Sequence, residues 1–131
     1  MGKITSKDLI AMKTDIEKRK NERLHVTIGD LGDWEFMVPS AADMLDAQAY
    51  ETHHGKTADS VGDVYLVYSM CVAPDLHDQE LQEAYGTKGP GIVNALLRPG
   101  EVQELTEALM EKAGYVDKSV VEIEKAEEVK N

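Results

Sequence analysis

This sequence predicts an α+β fold that is mostly α-helical, with about five helices packed against one N-terminal β-hairpin. Three observations carry that prediction. Two runs with period-two alternation flank a Gly/Asp turn between Leu24 and Val38. Apolar residues recur at i, i+3, i+4, i+7, i+10 and i+11 from Val61 to Val72, a wide helical face. The remaining chain divides at Gly and Pro into short segments with helical spacing.

The first element is a helix over about 6–23. Ser6 is placed to cap it and Asp8 sits near the positive end of its dipole. Leu9, Met12 and Ile16 recur at helical spacing, and Lys18-Arg19-Lys20 suits its C-terminus. The apolar stripe is thin, so this helix is expected to need a partner surface, by self-association or partner-dependent ordering. In the hairpin, one face carries Leu24, Val26, Ile28, Trp34, Phe36 and Val38, and Pro39 ends the second strand. A lone hairpin is marginal in water, so that face is expected to pack on helices.

Ser40 and Asp43 form a capping-box pattern for the third element, a helix with Met44, Leu45 and Ala47 inward that runs to about Thr52. A loop over His53-His54-Gly55-Lys56-Thr57 follows. Val61 to Val72 is the expected central core helix, terminated by Pro74. Asp78 to Tyr85 is a short helix stopped by Gly86, and Ile92 to Leu97 a second, ended by Pro99-Gly100. Glu101 to Ala113 is amphipathic through Val102, Leu105, Leu109 and Met110, with Gly114 as its C-terminal stop. An acidic helix or tail is expected over about 117–131. The 131 residues suit a single domain, 1–131.

Composition excludes several classes of function. With 42% hydrophobic and 30% charged residues, the chain is globular in character. No apolar run approaches the roughly 18 residues that span a bilayer, and Met1 to Ile10 lack the apolar core of a signal peptide. The lone cysteine, Cys71, excludes an internal disulfide framework and suits a reducing cytoplasm. The formal net charge of −11 is uneven. Residues 1–24 hold seven bases against four acids (+3), leaving seven against 21 beyond them (−14). Such an acidic body repels phosphate backbones, so nucleic-acid binding is not expected.

Candidate chemistry is weak. Gly55-Lys56-Thr57 ends like a P-loop, but the glycine required five residues earlier is Tyr50. His53 and His54 are adjacent and so do not share a helix face. Cys71, His77, Asp75 and Asp78 match no standard metal spacing. Cys71 could be paired with His25 or His77 as a nucleophile, but its place on an apolar face is expected to raise its thiol pKa and silence it. No catalytic, cofactor-binding or metal-binding residue is expected, and no cofactor. The one Trp and one Phe, Trp34 and Phe36, are expected in the core. An open hairpin edge would offer a strand-addition site.

Cys71-Val72-Ala73-Pro74-Asp75-Leu76, Leu81-Gln82-Glu83-Ala84-Tyr85-Gly86 and Leu96-Leu97-Arg98-Pro99-Gly100-Glu101-Val102, leading to Ala113-Gly114-Tyr115, are packing and turn motifs. Together they resemble the XkdN-like tail assembly chaperones of phages and prophages. The resemblance is sharpest from about Val61 to Tyr115. It implies a non-catalytic protein of the bacterial host cytoplasm that binds the tape measure protein during tail assembly and helps recruit tail tube subunits. The residues it carries over are Leu76, Leu81, Tyr85, Leu97, Pro99, Gly100 and Glu101, expected chiefly to shape the domain and secondarily to touch a partner. Six methionines would add adaptable apolar surface. Two rival readings stand beside it: an acidic decoy that mimics DNA, and a small hydrolase or metal enzyme using Cys71, His77 and nearby aspartates.

Overall fold

The computed structural model describes residues 2–54 and 61–115. Among them the chain forms seven α-helices and a three-stranded antiparallel sheet, two helices and one strand more than the sequence predicts. Gly55-Lys56-Thr57 and the 117–131 segment lie outside the described residues.

The N-terminal helix is two helices, α1 (Ser6–Ala11) and α2 (Lys13–Lys20), with the break at Met12 (φ −92°, ψ 8°). Its cap is Thr5, one residue before the expected Ser6. The Asp8 N–H donates to Thr5 Oγ1 (3.1 Å) and the Thr5 N–H donates to Asp8 Oδ2 (3.0 Å), a reciprocal box that satisfies two of the free N–H groups at the helix start. Neither helix buries a residue.

The hairpin forms as its alternation predicts. Strands β1 (Arg23–Thr27) and β2 (Asp33–Met37) pair in the register Leu24 opposite Phe36 and Val26 opposite Trp34. Gly32, at φ 86°, lets the connection close, and Ile28 N–H reaches Gly32 O at 2.9 Å. Trp34 and Phe36 are buried, their rings 6.3 Å apart, and Trp34 Nε1 donates to Leu31 O. The opposite face carries His25, exposed, and Glu35, half-buried.

Ser40 and Asp43 do cap α3 (Ala41–His54). The Ser40 N–H donates to Asp43 Oδ2 at 2.8 Å and the Asp43 N–H to Ser40 Oγ at 3.2 Å. The helix runs through His53 and His54, which sequence reasoning placed in a loop. Ala47 is buried and Met44 half-buried, but Leu45 is 64% exposed. Met44 and Ala47 lie three residues apart on one face, and Leu45 turns roughly 100° away from Met44.

Helix α4 (Val61–Met70) is the central helix, burying Gly62, Val64, Leu66, Val67 and Met70. It ends four residues before Pro74. Cys71–Ala73 leaves the helix as β3 and pairs antiparallel with β2, giving the order β1-β2-β3. Val72, counted by its spacing as core, is therefore 38% exposed.

Short helices α5 (Gln79–Ala84) and α6 (Gly91–Leu96) follow, and α7 (Pro99–Lys112) closes the body. Asp78 caps α5 through a 3.0 Å bond from the Leu81 N–H. Pro99 opens α7 at a position where its missing N–H costs nothing. Ile92, Val93, Val102, Leu105 and Leu109 join the hairpin face and α4 in one core.

Candidate functional site

The seven residues singled out from the sequence fall into three settings. Leu76 is fully buried and Leu97 nearly so, and Leu81 packs half-buried against the same core. Pro99, Gly100 and Glu101 form the first turn of α7. There the Arg98 N–H donates to Glu101 Oε1 at 2.8 Å, and the carboxylate lies at the positive end of the helix dipole. Tyr85, at the end of α5, is the large apolar residue of the set that faces solvent, 52% exposed. The structure therefore does not bring the seven together as one surface.

Gln82, within the same quoted motif, holds this region in shape. Its Nε2 donates to Leu76 O (2.8 Å) and Tyr68 Oη (3.3 Å), and its Oε1 accepts from the Gly89 N–H (3.0 Å). One amide thus ties α4, the segment before α5 and the loop before α6. A glutamine on a short helix carries no sequence signal of that role.

The residues weighed for chemistry are dispersed among structural contacts. The Cys71 thiol is pushed up to about 12, first by burial, and it donates to Pro74 O at 3.3 Å. A thiol so shifted is protonated at neutral pH and is a poor nucleophile. His25 lies on the solvent face of β1, with Nδ1 3.7 Å from Glu35. The His77 ring lies tilted against Tyr68, centroids 4.2 Å apart, with Nδ1 3.9 Å from Asp75. His54 stacks on Tyr50 at 3.9 Å, and Tyr50 on Tyr65 at 4.6 Å, which joins α3 to α4. Among the described residues, no three His, Cys, Asp or Glu side chains are placed to hold a metal ion. No described helix is long and apolar enough to cross a membrane.

Surface concavities lie where the elements diverge. Three stand out among the described residues, and the largest of the three, about 540 Å³, sits between the end of α2, the β2–α3 connection and the end of α7. Ile16, Val38, Pro39 and Tyr115 give it apolar walls, and Arg19 and Lys20 line its rim, where Glu22 pairs with Lys112 at 3.2 Å. A neighbouring cleft of about 420 Å³ includes Arg23, Met37 and Asp43. A third, about 260 Å³, runs between the edge strand β1 and α7. Exposed apolar side chains are concentrated in the N-terminal arm, 2–20, at Ile4, Leu9, Ile10 and Met12. Open apolar surface of this kind suits binding of polypeptide.

No curated protein and no solved structure matches the chain. The phage XkdN-like tail assembly chaperone protein family matches it over residues 43–130, from the first turn of α3 to the penultimate residue. That span is two-thirds of the sequence and takes in α4, β3 and each of the three motifs on which the resemblance rests, so the chain is a member of the phage XkdN-like tail assembly chaperone family.

Proposed function

We propose that this tail assembly chaperone binds the tape measure protein in the cytoplasm of the bacterial host and keeps it soluble until the tail tube polymerises around it. Residues 1–131 act as one domain in this role, without catalysis, and tube subunits are a second class of partner. The family match carries the reading. Physical support comes from the open apolar side chains Leu45, Tyr85 and Tyr115 on an acidic, strongly charged body, a combination that permits helix capture while opposing aggregation. Leu76, Leu81, Leu97, Pro99, Gly100 and Glu101 shape the domain, and Tyr85 touches the partner.

Co-expression with the tape measure protein of the same tail tests this. The chaperone is expected to move the tape measure protein into the soluble fraction and to co-elute with it. Tyr85→Ser is expected to weaken that co-elution while leaving the thermal unfolding midpoint unchanged, because the ring is half in solvent already. A tape measure protein equally insoluble with and without the chaperone overturns the proposal.

A further inference from the structure

The N-terminal arm and the β1–α7 cleft are complementary surfaces within one sequence. The arm exposes Ile4 (59%), Leu9 (46%), Ile10 (75%) and Met12 (40%), and no residue of α1 or α2 is buried. Isolated helices of this length are marginal in water, so the arm gains by finding a surface to cover it. It is also basic: Lys3, Lys7 and Lys13 flank those apolar residues, and residues 1–24 carry +3 against −14 for the rest.

Charge selects among the three clefts. The largest sets Arg19, Lys20 and Lys112 against Glu22 and Glu111, and the second sets Lys20 and Arg23 against Glu22 and Asp43, so neither offers net negative charge to a basic segment. The third has no basic lining residue. Val26, Ile28, Leu105 and Ala108 form its apolar floor, and Glu101 and Glu104 stand over it from α7. Its wall from Glu101 to Ala108 is about 11 Å long and α1 about 9 Å, at 1.5 Å per helical residue. The two fit end to end.

We propose that the chain forms a two-fold symmetric dimer by arm exchange, α1 of each copy lying in the β1–α7 cleft of the other. Ile10 covers the cleft floor, and Lys7 and Lys13, three residues to either side of it, face Glu101 and Glu104. Exchange satisfies both protomers with one reciprocal contact, as a closed two-fold interface requires. Because Ile10 touches nothing in its own chain's core, its replacement leaves the body intact.

Sedimentation of the full chain tests the dimer. Twice the chain mass is expected at ~0.05 M salt, with dissociation favoured at ~1 M, where the screening length falls to about 3 Å. Ile10→Asp is expected to raise the dimer dissociation constant at least ~10-fold at low salt, and to leave the unfolding midpoint unchanged at ~1 M salt, where the dimer no longer contributes. A wild-type chain that sediments as a monomer at low salt overturns the proposal, whether the arm is free or folds back on its own body. The receiving cleft is tested separately by mixing Ile10→Cys chains with Glu104→Cys chains under mild oxidation, the buried Cys71 being unreactive. Disulfide-linked mixed pairs are expected. Cross-linking of Ile10→Cys chains to one another alone, or no cross-link from a persisting dimer, overturns the placement. None of these readouts involves the tape measure protein, so they stand or fall apart from the proposed function.

Discussion

The body and the N-terminal arm start their helices with the same device and end in opposite states. In the arm, Thr5 and Asp8 exchange hydrogen bonds across the first turn of α1, and at α7 Glu101 accepts from the Arg98 N–H three residues before it. Yet α7 buries Val102, Leu105, Thr106 and Leu109, and α1 buries nothing. A cap decides where a helix begins and contributes on the order of 1 kcal/mol. What holds the helix in the molecule is the apolar stripe that follows the cap. Val102, Leu105 and Leu109 keep 3–4 spacing along one unbroken helix, whereas the stripe of Leu9, Met12 and Ile16 is interrupted where α1 gives way to α2 at Met12.

The largest effect expected is in the body. Phe36 is fully buried in the middle of the sheet, flanked by Leu24 across the strand pair, Cys71 of β3 and the Trp34 ring. Phe36→Ala is expected to destabilise by about 3–5 kcal/mol in urea unfolding, the sum of lost transfer energy and a cavity that cannot collapse. A loss comparable to that of an arm substitution would mean the hairpin face is not core, and the contrast between the two regions would break.

The paired caps give the next effect. Glu101→Ala is expected to cost about 1 kcal/mol of global stability, because α7 unfolds only with the body. Asp8→Ala removes the equivalent contact and, at ~1 M salt where the dimer is dissociated, is expected to leave the global midpoint unchanged while amide exchange accelerates over residues 5–11. If Asp8→Ala lowers the global midpoint as Glu101→Ala does, the arm is part of the cooperative unit and the comparison fails.

How much of this was legible in the sequence follows from the same distinction between local and tertiary causes. The hairpin, its core face and the Ser40–Asp43 cap rest on contacts within a few residues or on period two, and the structure reproduces them. Strand β3 was not legible. Cys71 and Val72 continue the 3–4 spacing of Val61 to Tyr68, and only pairing with Phe36 and Glu35 turns three residues into a strand. The break at Met12 likewise has no Gly or Pro to announce it. Leu45 read as core because it is apolar and adjoins Met44, although the face is set by Ala47 and Tyr50 on the Tyr65 side. Of the residues that the family motifs pick out, Leu76 and Leu97 prove to be interior packing and Glu101 a cap. The arm's exposed apolar residues belong to no motif, so nothing in the sequence separated them from an ordinary thin helix.

The smallest effect separates the two regions by pH. In the arm, the Thr5 N–H and then the Thr5 hydroxyl hold the Asp8 carboxyl below its usual 3.8. In the body, burial and then the neighbouring Glu51 charge raise Asp63 above 3.8. The signs oppose each other. Asp8 supports α1 above pH 3.8 and loses that support as pH falls through its lowered value. Asp63 favours the fold below pH 3.8 and loses that contribution as pH rises through its raised value. Asp63 is half-buried, and solvent screening leaves its share at a fraction of about 1 kcal/mol. Asp63→Asn is therefore expected to raise the unfolding midpoint slightly at pH 7, the gain shrinking to nothing as pH falls below 3.8. Over the same titration, helicity of residues 5–11 is expected to fall while the body keeps its own. An Asp63→Asn gain that grows on acidification would reverse the sign and show that Asp63 is stabilised as a carboxylate at the start of α4, by the helix dipole acting against burial.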